Sequence, residues 1–165
     1  PVEAMREAIA RFTGVEHRLE PVATIDGATW VNDSIATAPE RVMAALRSFD
    51  EPVVLLAGGR DKDLPWEPLA ALVAERCRAV IAFGEFGPQI AALMERHARD
   101  GARLETVRRA DTLDEAVALA REVARPGDVV LLSPGGTSYD AYIDFAARGA
   151  HFRALVRAMA GDAGR

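Results

Sequence analysis

The chain has one cysteine, Cys77, and one lysine, Lys62, in 165 residues. A lone cysteine excludes an intrachain disulfide and fits a reducing, cytoplasmic setting. Cys77 falls among Leu72, Val73 and Arg76 in a helical pattern and reads as packing. No apolar run approaches the roughly 20 residues that span a bilayer. The opening Pro1-Val2-Glu3-Ala4 lacks the basic and apolar regions of a signal peptide. The net charge is −5, with both signs scattered. With no basic stripe to displace counterions, the chain is expected to bind neither nucleic acid nor a membrane surface. The scarcity of lysine carries information of its own. Arginine fills 19 of the 20 basic positions, so generic positive charge has drifted to arginine. A site that needs a compact ammonium would resist that drift, which raises Lys62 above an ordinary surface lysine.

Half of the residues are apolar, enough for the core of one globular domain. A lead-in helix is expected over Val2 to Phe12. Asp26-Gly27 between the runs Leu19–Ile25 and Ala28–Asn32 predicts a hairpin. Thr37-Ala38-Pro39-Glu40 then has the form of a helix start, with Val42, Ala45, Leu46 and Phe49 marking one face. Strands are predicted at Val53–Ala57, Ala79–Phe83, Arg103–Val107 and Val129–Leu132. Helices are predicted at Pro65–Arg76, Gly87–Arg99, after the capping box Thr112-Leu113-Asp114-Glu115, and through much of Tyr139–Met159. The alternation implies a Rossmann-like, doubly wound α/β fold: about six strands, mainly parallel with one antiparallel, and helices on both faces.

Ligands of such sheets bind beyond the carboxyl ends of the strands. The text after the strands there is Asn32-Asp33-Ser34-Ile35-Ala36-Thr37, Gly58-Gly59-Arg60-Asp61-Lys62-Asp63, Gly84-Glu85-Phe86-Gly87 and Ser133-Pro134-Gly135-Gly136-Thr137-Ser138-Tyr139-Asp140. Freed amides, hydroxyls and one lysine together suit a small anion. Each element also has a plainer reading. Thr37 or Ser138 can be a helix cap, Gly58-Gly59 a simple turn, Lys62 a solvated charge, and Tyr142, Phe145 and Phe152 core. His97 and His151 read as surface or half-buried residues. His17, beside Arg18, precedes the first strand, where a hinge or interface would lie.

At these loops the sequence resembles the C-terminal domain of the D-glutamate-adding Mur ligases. The resemblance rests on His17-Arg18, Asn32-Asp33-Ser34 with Ala36-Thr37, Gly58-Gly59 with Lys62, Leu131-Leu132-Ser133-Pro134, and Ser138, Asp140, Phe145, Arg148-Gly149 and Phe152. It covers about residues 14 to 155. It implies an ATP-dependent enzyme of peptidoglycan precursor synthesis. The carboxylate of UDP-N-acetylmuramoyl-L-alanine is phosphorylated, and the amine of D-glutamate attacks the acyl phosphate. Carried over, Thr37, Lys62, Ser138, the backbone of Tyr139 and the ring of Phe145 surround D-glutamate, while Arg18 and Asp33 reach ATP. The implied division is a linker and lead-in over residues 1–16, the amino-acid-binding domain over 17–160 and a tail over 161–165. The N-terminal and central domains are missing, and the central one would hold most of the ATP and Mg2+. No Gly-x-x-x-x-Gly-Lys-Ser/Thr loop occurs, so the chain reads as half of an active site, with no catalytic residue and no metal ligand of its own.

Two departures stand out. The family usually has lysine where this chain has Ile35, and the Ser-Pro loop continues Gly135-Gly136-Thr137 where small, often cysteine-containing sequences are usual. Arg60, in the adjacent loop, is expected to replace the missing lysine. The competing readings are a non-catalytic α/β module that binds a small anion, and a related Mur-type ligase for another amino acid.

Overall fold

The computed structural model describes Val2, Arg6, residues 14–99 and residues 101–163. The lead-in helix expected over Val2 to Phe12 lies mostly outside them. Among the described residues, β1 (Glu20–Ile25), β2 (Ala28–Asn32), β3 (Val53–Gly58), β4 (Cys77–Phe83), β5 (Thr106–Ala110) and β6 (Val129–Gly135) form one sheet in the order β1-β2-β6-β3-β4-β5. Only the β1–β2 pair in that sheet is antiparallel. Its turn, Asp26-Gly27, has φ of 50° and 80°, the left-handed geometry that matches the twist of a two-residue hairpin.

Among the described residues, five helices connect or follow the strands: α1 (Pro39–Leu46), α2 (Glu67–Arg76), α3 (Gly87–His97), α4 (Leu113–Val123) and α5 (Phe145–Ala163). The period of two in the central strands divides the core. Val53, Leu55 and Ala57 pack with Val42, Leu46, Leu69, Val73, Ile90 and Met94, so α1, α2 and α3 cover one face. Val54 and Leu56 pack with Leu113, Val117, Phe152 and Val156, so α4 and α5 cover the other. Strands buried on both faces must be apolar throughout, which is why β3, β4 and β6 carry such runs.

The structure moves several boundaries. β5 begins at Thr106, three residues after the expected Arg103. Leu104 instead drops into the core from a segment whose Arg103 and Glu105 amides bond to Ala74 and Arg78. The last helix runs Phe145–Ala163, so it fills most of the expected span from Tyr139 to Met159 and leaves out its first six residues. Residues 138–142 close a separate turn, in which Ala141 and Tyr142 N–H groups donate to the Ser138 carbonyl. Asp144 then caps α5 by accepting from Ala147 N at 2.7 Å, so Ser138 is not its cap. Thr37 caps nothing either: the residue at the N-cap of α1 is Ala38, with no side-chain bond. The second capping motif does form, with Thr112 Oγ1 accepting from Glu115 N at 3.2 Å. Cys77 opens β4 and does not continue the helical pattern of Leu72, Val73 and Arg76; it is buried and its thiol pKa is pushed upward by that burial, consistent with packing.

Candidate functional site

The helices after β2 and β3 lie on one face, whereas the helix after β6 lies on the other. Strand β6 stands between β2 and β3, so its carboxyl end is where the chain changes face. Crevices form at such points. Here the loops after β2, β3 and β6 are fastened into one rim. Asp33 N donates to Leu132 O at 2.8 Å and Gly135 N to Ala36 O at 2.8 Å. Arg60 and Thr137 exchange both backbone hydrogen bonds at 2.9 Å. The loop after β4 joins through Phe86 N to Gly59 O at 2.9 Å and Glu85 N to Asp140 Oδ2 at 3.2 Å. Gly59 is required for this closeness: at φ 97°, an added Cβ would lie 2.1 Å from the Thr137 carbonyl oxygen. The glycine pair is thus more than a simple turn.

Arg148 holds the rim from beneath. It is 1 % exposed. Its Nε donates to Ser34 Oγ at 3.0 Å, Nη2 to Ser34 O at 3.0 Å, and both terminal nitrogens to Gly136 O at 3.3 Å. Ser34 Oγ in turn donates to Phe145 O at 2.8 Å. Burial lowers the guanidinium pKa to about 10, which leaves it charged at neutral pH. A planar fork can serve both loops at once, and an ammonium cannot.

His17 does a related job at the entrance to β1. It is 7 % exposed at φ 61°. The Asn32 carboxamide oxygen accepts from Ser34 N at 3.2 Å, which fixes that side chain's orientation. Its Nδ2 therefore donates to Glu20 Oε2 at 3.1 Å and to Gly149 O at 3.2 Å, and it lies 3.0 Å from His17 Nδ1. Gly149 leaves space for the ring, since a Cβ there would lie 2.2 Å from Nδ1. Phe145 meets His17 edge-on, with centroids 6.2 Å apart. His17 is a packing residue that fixes where the exposed Arg18 begins.

Asp33 is 4 % exposed. It accepts from Leu19 N at 3.2 Å and from Ser133 Oγ at 2.8 Å. Burial raises its pKa, against those two hydrogen bonds and the fields of Arg18 and Arg41. Arg18, Asp33, Ile35 and Arg41 line one cavity of about 230 Å3, which extends along α1. Arg41 was not singled out from the sequence, and a basic residue in the first turn of an expected helix gave no sign of it. Arg60 is elsewhere: it pairs with Glu85 at 2.9 Å and does not line this cavity. The expectation that Arg60 replaces the lysine missing at Ile35 is therefore not carried by the geometry.

The other expected residues occupy the same rim. Thr37 is half-buried one residue from Ala36, Ser138 is buried beside the Arg60–Thr137 bridge, and Tyr139 is exposed. The half-buried Phe145 ring lies against His17. Lys62 is exposed and makes no ion pair among the described residues; its neighbour Asp61 is anchored by Trp66 Nε1 at 2.9 Å. Outside the rim, His97 bonds Glu67 and His151 bonds the Tyr142 hydroxyl, each at 2.8 Å. Among the described residues no three His, Cys, Asp or Glu side chains cluster as metal ligands, and no helix is long and apolar enough to cross a membrane.

A doubly wound domain with this rim belongs to a defined class: residues 17–136 match the Mur ligase, glutamate ligase domain, and the chain is a member of that family. It is 50 % identical over 159 residues to UDP-N-acetylmuramoylalanine–D-glutamate ligase of Symbiobacterium thermophilum, covering 96 % of this chain and 34 % of that protein. The ligase of the same name from Salinibacter ruber is 43 % identical over 157 residues, covering 95 % and 33 %. The chain thus spans about a third of the length of the curated relatives it matches. The fold is shared with the bifunctional folylpolyglutamate synthase/dihydrofolate synthase of Yersinia pestis, at TM-score 0.64 and 18 % identity over 94 % of this chain and 34 % of that one. It is shared also with a UDP-N-acetylmuramoyl-L-alanyl-D-glutamate–2,6-diaminopimelate ligase, at TM-score 0.58 and 18 % identity over 97 % and 35 %.

Proposed function

We propose that this chain is the amino-acid-binding domain of an ATP-dependent ligase that joins D-glutamate to UDP-N-acetylmuramoyl-L-alanine. The observation that carries the reading is the fastened rim. Loops bearing Thr37, Lys62 and Ser138 are tied together at the carboxyl edge, and the similarity to ligases of that name runs through them. The rim residues bind and orient. Lys62 takes a carboxylate of D-glutamate through a charge-assisted hydrogen bond. Thr37, Ser138 and the Tyr139 amide take the remaining carboxylate oxygens, and Phe145 borders the carbon chain. The ammonium of D-glutamate must give up a proton to solvent before its nitrogen can attack, so the rim's task is to leave that nitrogen unpaired. ATP supplies the phosphoryl group that activates the acceptor carboxylate, and the amine then displaces phosphate from the acyl carbon.

For the nucleotide, this domain offers Arg18 and Asp33 beside the 230 Å3 cavity. Ligand pockets usually measure about 300–1,000 Å3, so the space suits part of a nucleotide, with the rest held by the domains that precede this one. The domain proper runs over about residues 17–160, with α5 continuing to Ala163.

The test is product formation. The full-length protein should release phosphate from ATP only when both D-glutamate and UDP-N-acetylmuramoyl-L-alanine are present, and this chain alone should not. Equal or better use of another amino acid would replace the substrate while keeping the class. The rival reading, a non-catalytic anion-binding module, draws on the exposure of Lys62. Absence of any ligation by the full-length protein would favour it.

A further inference from the structure

The site as proposed has a gap at Ile35, which is half-buried and lines the same cavity as Arg18 and Arg41. An aliphatic side chain supplies no charge there. Arg41 does, and three features mark it as placed for something outside the domain. It lies in the first turn of α1, where the partial positive charge of the helix end disfavours a cation. On its helix the positions three and four away are Ala38, Thr37, Ala44 and Ala45, so no acid on α1 compensates it, and among the described residues the only carboxylate whose field it is shown to feel is Asp33. It is exposed, and neither it nor Arg18 makes an ion pair among the described residues. A residue that breaks a local rule without a local gain points to a ligand.

We infer that Arg41 is the second cation of the nucleotide side, binding phosphate oxygens of an adenine nucleotide together with Arg18 and replacing the charge that Ile35 does not supply. This rests on the ligase reading above. Asp33 spaces the pair. Its two hydrogen bonds, from Leu19 N and Ser133 Oγ, hold one buried carboxylate between the β1 entrance and the β6 loop. That negative charge offsets the mutual repulsion of the two guanidinium groups before the nucleotide arrives. Ile35 contributes apolar surface to the same cavity. Arg60 has a different task, because its guanidinium is engaged by Glu85 through both Nε at 3.1 Å and Nη2 at 2.9 Å.

The experiment uses the full-length protein, with steady-state kinetics and equilibrium binding of ADP. Loss of one charge-assisted phosphate contact gives about a tenfold change. Arg41→Ala should raise the KM for ATP and the Kd for ADP by about that factor, with kcat at saturating ATP and the KM for D-glutamate nearly unchanged. Adding Ile35→Lys to Arg41→Ala should recover most of the loss, and Arg60→Ala should leave the ADP affinity unaltered. If Arg41→Ala leaves ADP binding unchanged while Arg18→Ala weakens it, the inference about Arg41 is overturned and the ligase reading stands. If neither variant changes nucleotide binding, this face is not the nucleotide side, and the reading on which the inference rests falls with it.

Discussion

Replacing Arg148 by methionine tests whether the rim is held from beneath. The perturbation removes a guanidinium that is 1 % exposed and has no carboxylate hydrogen-bonded to it. Two opposing effects follow. Ser34 O and Gly136 O lose their donors, at about 1–3 kcal/mol for each buried carbonyl. The desolvation of a buried charge is relieved at the same time, and substitution of buried ions by apolar residues is sometimes neutral for that reason. The relief is limited here because the partners left behind are polar and remain buried. A net loss of about 2–4 kcal/mol is expected, or roughly 4–16 °C in Tm for a domain of this size. Thermal unfolding followed by circular dichroism measures it. Arg60→Met is the control: it breaks an ion pair whose side chains are 49 % and 56 % exposed, a kind worth about 0–1 kcal/mol. Arg148→Lys should fall between, since it keeps the charge but cannot reach both loops. An Arg148→Met protein as stable as the parent would refute the reasoning, and would mean that desolvation outweighs the hydrogen bonds.

Gly149→Ala should destabilise by about 1–3 kcal/mol through overpacking against His17, despite a better helix former in α5. In a His17→Ala background the same change should become neutral or favourable, which urea titration of the four proteins would read. Asp33 has a raised pKa, so its contribution to stability is full below the ordinary value of 3.8 and is lost as pH rises through the folded value. The stability of Asp33→Asn relative to the parent should accordingly increase with pH from about 3 upward; a relative stability that falls with pH would contradict the burial argument.

The frame of the fold was legible because its signals are local. The run Val53–Ala57 can only be a strand covered on both faces, and Asp-Gly between two short runs can only turn tightly. What the sequence concealed is long-range. Arg148 belongs to the pattern of the resemblance, but nothing in the sequence marks it as a buried fastener whose partners are 114 and 12 residues away. Arg78 and Asp128 are likewise a buried pair, hidden among surface-like charges. Thr37 and Ser138 have the residue type of caps, but the N-cap position of α1 falls on Ala38, which makes no side-chain bond, and Asp144 caps α5. The edge strand β5 was misplaced because its Arg108 and Arg109 are exposed and give no alternation. The rim loops could be found from their positions after the strands. Arg41 could not, since its significance lies in the cavity it shares with a turn before β1.

The central claim is that Lys62 receives a carboxylate of D-glutamate, and its replacement by methionine in the full-length protein tests it most directly. Lys62 is exposed and unpaired among the described residues, so the change should leave thermal stability within about 0.5 kcal/mol. The loss of a charge-assisted hydrogen bond, about 1.5–3 kcal/mol, should lower kcat/KM for D-glutamate roughly 10- to 150-fold. The KM for ATP should not move. A Lys62→Met enzyme with unaltered kcat/KM for D-glutamate would contradict the account.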